Sequence, residues 1–319
     1  MVEVPQKLLD FIREGTCFAV VGHEEPDGDC AGSQLALASL LKRMGKKAIP
    51  CSAGPFERTE LRQYEKHFLP FPGERDGLKV IVMDVSVRER VGDLPIDGLP
   101  TAVIDHHISS DPWGEVMYVD PSAPSVTFLI EKIFQSLGYA PTREEAEFLL
   151  FGLLTDTGFF RHLDEKGAET FITASRLVSA GASPKKLFGI ISGGKPLASR
   201  LLLGASLSRI RAYYGGKLLI TDETLDELNL YGHDSRDSDL LYQLLQSIEG
   251  GEAIVLIREE SEEECSLGFR SRDRVNVGAI AECFGGGGHF HASGAKSPGT
   301  IPELEEKIVA AFKKWFQPG

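Results

Sequence analysis

Three short apolar runs, each ending in or followed by acidic or histidine side chains, constrain the fold of this chain more than any other sequence feature. CFAVVG (17–22), KVIVMDV (79–85) and TAVIDHH (101–107) are rich in β-branched residues and are bounded by glycine, proline or charged residues. Runs of this length and composition indicate buried strands. Helical patterns separate and follow them, so we expect a mostly parallel sheet flanked by helices. In such a sheet, ligands bind beyond the carboxyl ends of the strands.

The helices around these strands have recognisable starts and stops. We predict helices over 31–44, 124–137 and 142–154, and a glycine follows directly after each of the first two. The third helix begins at Thr142, with Glu145 three residues later, which is the pattern of a capping box.

A second α/β pattern follows a helical region with two glycine-rich breaks, which runs from about 165 to 212. It predicts a strand at 217–222, a helix at 238–248, the two strands EAIVLIRE and CSLGFRSR, a helix near 276–284 and a final helix at 301–316. The predicted fold class is therefore α/β with two domains. The N-terminal domain covers 1–185, a helical linker covers 186–212, and a smaller C-terminal α/β domain covers 213–319.

Charge and composition exclude several classes of partner. The net charge is −13, so we expect no binding to long nucleic acid or to anionic membranes, which require a broad basic surface. A short anionic ligand held by a local cluster stays possible. The longest apolar runs, such as EFLLFGLLTDTGFF, are too short to span a membrane, and the acidic N-terminus does not resemble a signal peptide. Five cysteines without CxxC pairs indicate reduced thiols and a cytoplasmic protein.

The residues at the ends of these elements share one chemistry. A single aspartate after a strand is most often a turn or N-cap residue, but here four separate elements deliver carboxylates and imidazoles to one edge of the sheet. Unpaired carboxylates would repel one another there, and divalent cations would neutralise them. The residues are His23, Asp27 and Asp29 after the first strand, Asp84 after the second, Asp105, His106 and His107 at the third, and Asp156 after the helix.

Four motifs in this order, HEEPDGD, MDVS, DHH and LLTDTG, resemble those of the DHH phosphoesterases. The C-terminal segment from FRSR to VNVGAIAECFGGGGHFHASGA resembles their DHHA1 substrate-binding domain. The resemblance covers nearly the whole chain, and its size and layout are most similar to the bifunctional oligoribonuclease (nanoRNase) and pAp phosphatase branch. RecJ-like exonucleases share the motifs but usually carry more domains. Family II inorganic pyrophosphatases have a different C-terminal domain.

This resemblance implies two divalent metal ions, with Mn²⁺ favoured by the mixed histidine and carboxylate ligands and Mg²⁺ or Co²⁺ as alternatives. It also implies hydrolysis by a hydroxide that the two ions activate, without a protein nucleophile. Asp105 would orient an imidazole, and His107 would face the substrate phosphate; these are the two catalytic candidates. The implied metal ligands are His23 and Asp27 for the first ion, Asp29, His106 and Asp156 for the second, and Asp84 as a bridge.

The resemblance also implies a site for the terminal phosphate of the substrate. Consecutive glycines expose backbone N–H groups and can approach an anion closely, and a guanidinium can hold phosphate through two hydrogen bonds. Arg161, which follows TDTGFF, is a further candidate for phosphate contact, with a surface salt bridge as the equal alternative. The substrate-binding residues that the resemblance implies are Arg270, Ser271, Gly286, Gly287, Gly288 and His289, and Arg161 joins them only from its place in the sequence.

The function implied by this resemblance is hydrolysis of short single-stranded RNA to mononucleotides and of 3′-phosphoadenosine 5′-phosphate, a mononucleotide bisphosphate, to AMP and phosphate. The alternatives are a phosphodiesterase for linear or cyclic dinucleotides such as cyclic di-AMP, an enzyme for short DNA, and a non-catalytic nucleotide sensor. A sensor is expected to have lost metal ligands, and every motif aspartate and histidine is present. We expect a monomer or a homodimer.

Overall fold

The computed structural model describes residues 3–85, 87–107, 113–232 and 235–316. Ser86, the last residue of the MDVS motif, lies outside the described residues. The chain divides into two compact units, Met1–Gly194 and Lys195–Gly319. None of the helices in the described residues combines the length and the apolarity that a membrane crossing needs.

The first unit alternates strands and helices, as its apolar runs predict. Its elements are α1 (Gln6–Glu14), β1 (Cys17–Val21), α2 (Gly28–Arg43), β2 (Lys47–Cys51), β3 (Leu78–Met83), β4 (Thr101–Asp105), β5 (Val116–Val119), α3 (Val126–Ser136), α4 (Arg143–Asp156), α5 (Ala168–Ser179) and α6 (Pro184–Ser192).

These five strands form one sheet in the order β2-β1-β3-β4-β5, and every pairing is parallel. The predicted fold class is therefore confirmed for this unit. Apolar side chains are buried on both faces of the sheet, as in a parallel sheet covered by helices. All carboxyl ends point to the same edge, which places the loops after β1, β3 and β4 side by side.

Helices α2 and α4 cross this edge with their backbones in close approach. A Cβ atom on Gly32 would lie 2.6 Å from the carbonyl oxygen of Phe148, and one on Gly152 would lie 2.9 Å from Cα of Asp29. Both distances are shorter than real Cβ contacts, so the two glycines permit this helix spacing. The crossing sets the first turn of α2, which holds Asp29, beside the last turn of α4, which ends at Asp156.

Helix α4 begins with the predicted capping box. The Thr142 side chain accepts from the Glu145 backbone N–H, and the Glu145 carboxylate accepts from the Thr142 N–H at 2.7 Å. Glu145 is fully buried and also pairs with Arg43 of α2 at 2.6 Å, so the cap is tied to the neighbouring helix. This contact connects the start of α4 to α2 at the opposite end from the acidic edge.

The second unit contains a six-stranded mixed sheet in the order β10-β11-β9-β8-β7-β6. Its elements are α7 (Leu197–Ser208), β6 (Arg211–Tyr213), β7 (Leu218–Glu223), α8 (Leu225–Tyr231), α9 (Ser238–Gln246), β8 (Ala253–Glu259), β9 (Glu264–Ser271), α10 (Val277–Glu282), β10 (Gly287–Gly288), β11 (Ala292–Pro298) and α11 (Ile301–Phe316).

Several elements differ from the sequence prediction. Residues 211–213 form β6 instead of continuing the connecting helix, and β2, β5, α8, β10 and β11 were not predicted. The glycine-rich segment is partly a hairpin, because Gly287 and Gly288 pair with Gly294 and Ser293 of β11. The two faces of this sheet have separate cores, one against α10 and α11 and one against α9.

Candidate metal centre and phosphate site

The acidic edge of the first unit brings together eight predicted residues from β1, α2, β3, β4 and α4. Each follows or ends a strand, or lies at the beginning or end of a helix, so the parallel topology alone delivers them to one place. They are His23, Asp27, Asp29, Asp84, Asp105, His106, His107 and Asp156.

Asp27 and Asp29 belong to the start of α2 and have different roles in the fold. Asp27 is the N-cap, and its Oδ1 accepts from the backbone N–H groups of Asp29 and Cys30 at 3.0 Å each. Asp29 is buried and accepts three hydrogen bonds from the start of α3, at the N–H of Val126 and at the N–H and hydroxyl of Thr127. These contacts fix the direction in which each carboxylate faces the edge.

Asp84 is the most constrained carboxylate of the group. It is 3% exposed, and its backbone has a φ of +59°, which is rare for residues other than glycine. Its Oδ1 has no hydrogen-bond partner among the described residues, although it lies 3.6 Å from Nε2 of His106 and 3.7 Å from Nδ1 of His107. Its Oδ2 lies 3.7 Å from Nε2 of His23. A buried carboxylate oxygen without a donor is unfavourable unless something else neutralises it.

Backbone carbonyls define the tautomers of two histidines. Nδ1 of His23 lies 2.6 Å from the carbonyl oxygen of Glu24, and Nδ1 of His106 lies 3.2 Å from that of Ala123. A carbonyl can only accept, so each Nδ1 carries the proton. In the neutral rings, the lone pair of Nε2 is then directed at the carboxylates, which is the arrangement that metal-binding histidines show.

Asp105 lies behind the histidine pair. Its Oδ1 accepts from the backbone N–H of His106 at 2.7 Å and lies 2.8 Å from Nδ1 of His107. This hydrogen bond raises the pKa of His107 above its usual value, against the lowering effect of partial burial. Asp105 is fully buried, whereas the His107 side chain is 41% exposed, so the pair holds one imidazole at the solvent-facing side of the site.

The neighbouring carboxylates alter one another's pKa values, as expected from the repulsion between like charges. Burial, followed by the charges of Asp29 and Asp27, raises the pKa of Asp156 to about 8 and raises that of Asp84 well above its usual value. Burial also raises the pKa of Asp29. For Asp27, burial acts upward, but the contacts with His23 and the Cys30 amide outweigh it and lower the pKa to about 2. Bound cations would remove this penalty by favouring the ionised forms.

Within the described residues, three groups of side chains could each hold a metal ion, with ligand atoms that lie within 4.8 Å of one another. Asp84 belongs to two of them, and the third coincides with the ligand set that the resemblance implies for the second ion. The buried oxygen of Asp84 and the two aligned Nε2 atoms fit a divalent cation. The groups are His23 with Cys30 and Asp84, Asp84 with His106 and His107, and Asp29 with His106 and Asp156.

Two arginines that were not predicted lie beside this edge. The backbone N–H of Glu24 donates to the carbonyl of Arg90 at 2.8 Å, which holds the loop after β3 against the loop after β1. The positive charge of Arg90 lowers the pKa of His107, but less than the hydrogen bond to Asp105 raises it. The charge of Arg58 lowers the pKa of Asp27, but less than the contacts with His23 do. Both side chains are exposed. The basic run VRER after the second motif is the signal that could have pointed to Arg90.

Arg161 lies on an exposed turn after α4. Its Nε donates to the carbonyl oxygen of Gly158 at 2.8 Å, and it forms no salt bridge within the parts of the chain described. The alternative of a surface ion pair therefore finds no support in these residues. A cavity of about 430 Å³ borders the same turn at His162 and the loop beside Ala123 at Ser122 and Pro124.

The predicted phosphate residues of the second unit lie on β9, on β10 and in the turns directly before and after β10. Ser271 is buried, and its hydroxyl donates to the carbonyl of Val275 at 2.7 Å, so in this arrangement it holds the turn after β9. Gly287, Gly288 and His289 are exposed, and Cβ atoms would have no space at Gly286 or Gly288. A side chain at Gly286 or Gly288 would therefore clash, and a ligand at these glycines would contact backbone atoms.

Comparisons with known proteins agree with the motifs. The DHH family, N-terminal domain, matches residues 17–153, and the DHHA1 domain matches residues 230–317. The bifunctional oligoribonuclease and PAP phosphatase NrnA of Thermus thermophilus is 30% identical over 296 residues, which cover 92% of this chain and 89% of that protein. The cyclic-di-AMP phosphodiesterase PdeA of Listeria monocytogenes is 24% identical over 98% of this chain, but over 50% of its own length.

A solved structure shows the same fold over nearly the whole chain. The crystal structure of an exopolyphosphatase-related protein from Bacteroides fragilis superposes with a TM-score of 0.81, covering 98% of this chain and 96% of that chain. Its sequence identity is 22%, so the likeness supports the architecture and leaves the substrate to be argued from the site.

Proposed function

This chain belongs to the DHH family and carries a DHHA1 domain, and from this premise we propose that it is a metal-dependent hydrolase of short nucleotides. Its substrates are short RNA oligonucleotides, which it degrades to mononucleotides, and 3′-phosphoadenosine 5′-phosphate, which it converts to AMP and phosphate. NrnA of Thermus thermophilus, whose match covers 92% of this chain and 89% of that protein, is named for these two activities.

The observation that carries this proposal is the buried Oδ1 of Asp84, which lies between two imidazoles and has no hydrogen-bond partner in the part of the chain that is described. Four carboxylates and two aligned Nε2 atoms around it form a donor set suited to divalent ions of intermediate softness, so we propose two ions, with Mn²⁺ preferred. When bound, such ions polarise a phosphoryl oxygen and make a hydroxide available near neutral pH.

The chain's own residues would then have four tasks. Asp84 and the carboxylates of α2 and α4 would bind the ions, and Asp105 would hold His107 in one orientation. His107, with its raised pKa, would donate a hydrogen bond to a phosphoryl oxygen. Arg90, on the loop held against Glu24, would add positive charge close to the same oxygens.

For the second unit, we propose that Arg270 binds the terminal phosphate of the substrate. Two nearby arginines form ion pairs with acids, Arg258 of β8 with Glu223 at 2.9 Å and Arg274 after β9 with Glu252 at 2.8 Å. Arg270 has no acidic partner within the described residues. Its guanidinium therefore keeps N–H donors available for an anion, and the exposed backbone of Gly287 and Gly288 and the side chain of His289 would add to that contact.

A short substrate also agrees with the net charge of the chain. A net charge of −13 disfavours binding of long polyanions, whereas a mononucleotide needs only the metal ions and a few cationic side chains.

All five cysteines are free thiols, two of them buried beside the first sheet. We therefore place the protein in the cytoplasm, as a monomer or homodimer, and the half-length match to PdeA makes cyclic di-AMP the second candidate substrate.

Product analysis tests this function. The protein is incubated with 5′-pApA, 3′-phosphoadenosine 5′-phosphate or cyclic di-AMP, in Mn²⁺ and in EDTA, and the products are separated by chromatography. We expect Mn²⁺-dependent AMP from the first two. Asp84→Asn is the control, because it keeps the shape of the side chain and removes the charge. Conversion of cyclic di-AMP to 5′-pApA, with no AMP from the other two substrates, would replace this function with the second candidate, and hydrolysis of none would point to a sensor.

A further inference from the structure

We propose that Tyr242 is a positioning residue, which holds the Arg270 guanidinium in the orientation that binds the terminal phosphate. This inference rests on the proposed phosphate role of Arg270 and extends it to a residue of α9. The guanidinium carbon of Arg270 lies 4.4 Å from the centroid of the Tyr242 ring, within the range of a cation–π contact.

The strand geometry explains why these two side chains meet. Burial alternates along β9, and Gly268 and Arg270 lie on the face that the α9 core covers. In the register with β8, Arg270 is opposite Ile254 and Gly268 is opposite Leu256, and both partners belong to the same apolar cluster as Tyr242. The Tyr242 ring therefore packs in the apolar cluster between α9 and the sheet, and its face contacts the Arg270 guanidinium.

Gly268 makes room for the tyrosine. A Cβ atom at this position would lie 1.9 Å from the Tyr242 hydroxyl oxygen and 3.2 Å from the ring carbon that bears it. Any larger residue at 268 must displace the ring, and the ring must then move away from Arg270. Removal of the hydroxyl would leave only the 3.2 Å approach, which a small shift accommodates. The absence of a side chain at Gly268 therefore permits the observed position of the Tyr242 ring on this face of the sheet.

The stacking contact orients Arg270 without using its donors. A salt bridge to a carboxylate would occupy the N–H edge of the guanidinium, but the face of an aromatic ring leaves that edge free. The single hydrogen bond of the Arg270 side chain within the described residues goes from Nη1 to the carbonyl of Phe269, at 2.9 Å. The Tyr242 ring and the Phe269 carbonyl together fix the plane of the Arg270 guanidinium. Less side-chain entropy is therefore lost when phosphate binds.

Titration calorimetry of the full, EDTA-treated chain with AMP tests the proposal, with adenosine as the ligand that lacks the phosphate. We expect Tyr242→Leu to weaken AMP binding about tenfold and Tyr242→Phe to keep it within about twofold, since the ring face persists. Tyr214→Leu removes a partly buried tyrosine from the opposite core and serves as the matched control for stability. In the Arg270→Ala background, Tyr242→Leu should have no further effect, because the ring acts through the arginine.

A second set of variants does not depend on the loss of the ring. Gly268→Ala should weaken AMP binding about as much as Tyr242→Leu does, and Gly268→Ala combined with Tyr242→Phe should recover most of it, because the clash with the hydroxyl is gone. Melting temperatures of all variants identify any that unfold.

Equal AMP affinity in Tyr242→Leu and wild type, or the same loss in the Arg270→Ala background, would overturn the positioning role. A wild-type chain that binds AMP no better than adenosine would overturn it as well, together with the phosphate role of Arg270. The hydrolysis assay is separate: a protein that shows the expected AMP binding but cleaves no substrate would lose the proposed function and keep this inference.

Discussion

The carboxylate of Asp84 and the imidazole of His106 face each other across the ends of β3 and β4, with Oδ1 of the aspartate 3.6 Å from Nε2 of the histidine. The distance is too long for a hydrogen bond, and in the neutral form of the ring the Ala123 carbonyl keeps the proton on Nδ1, so that Nε2 has none to donate. Two lone pairs therefore point at the same space, an arrangement that a cation stabilises.

Replacement of Asp84 should remove metal binding and hydrolysis together. Because Asp84 has a positive φ, Asp84→Asn isolates the charge, whereas Asp84→Ala adds backbone strain of about 1 kcal/mol. We expect both variants to lose at least about a hundredfold in kcat/KM, with less Mn²⁺ bound per chain, since a ligand shared by two ions affects both. Elemental analysis of dialysed protein measures the metal. Activity above a few per cent in Asp84→Asn would contradict the bridging assignment.

Asp105 should control the ionisation of His107. Its hydrogen bond raises the pKa of the imidazole, so Asp105→Asn should lower that pKa, and NMR titration of the histidine resonances measures the change. Loss of an orienting carboxylate of this kind commonly reduces activity about 10- to 100-fold. His67→Gln, an exposed histidine of the same unit, assigns a competing resonance and should leave the titration of His107 unchanged.

The metal-free protein should become less stable as pH rises. The folded pKa of Asp156 is about 8, above the 3.8 of an unperturbed carboxyl, so the native state binds more protons than the unfolded state between these values. Stability therefore falls through this window with increasing pH. Melting temperatures in EDTA from pH 5 to pH 8 measure the decline, which saturating Mn²⁺ should reverse.

The matched variant for this pH effect is Asp156→Asn, whose amide does not titrate. Its melting temperature in EDTA should decline less over the same range, because one of the repelling carboxylates is gone. A wild-type melting temperature that increases from pH 5 to pH 8 in EDTA, or equal slopes in the two proteins, would contradict the raised pKa of Asp156, which burial and the charges of Asp29 and Asp27 cause.

The cap of α4 should contribute to stability separately from the metal site. Thr142→Ala removes the acceptor for the Glu145 N–H, so we expect a loss of about 1 kcal/mol in the free energy of unfolding. Thr142→Ser retains the hydroxyl and should lose little. Urea titrations measure both, and Mn²⁺ affinity should be unchanged because Thr142 and Asp156 lie at opposite ends of the helix. An altered affinity would show that the cap also determines the ligand geometry.

The parallel sheet of the first unit was predictable because its central strands are buried on both faces and contain continuous apolar runs. Strand β2 was missed because Pro50 interrupts its pattern, and proline is tolerated there because β2 lies at the edge of the sheet. Strand β11, ASGAKSP, has no apolar alternation at all. It exists through seven register pairs with β9, a long-range stabilisation that local sequence does not express.

The grouping of the acidic residues was also predictable, since a parallel topology alone delivers the ends of β1, β3 and β4 to one edge. The individual contacts were not. No local pattern shows that Asp84 adopts a positive φ, or that the charge of Arg90 acts on His107. The stacking of Arg270 on Tyr242 joins residues 28 positions apart in sequence, through a glycine whose role only the folded register reveals.

The close crossing of α2 and α4 carries a consequence for how this centre can change over time. Gly32 and Gly152 have no side chains and bind nothing, yet they determine the spacing between the helix turns that hold Asp29 and Asp156. A single methyl group at either glycine would separate the helices, so the distance between Asp29 and Asp156, and with it the radius of the ion that they would fit, would change although every ligand residue was retained. Selection for a cation of a different radius could therefore act on uncharged, buried positions that no comparison of ligands would identify.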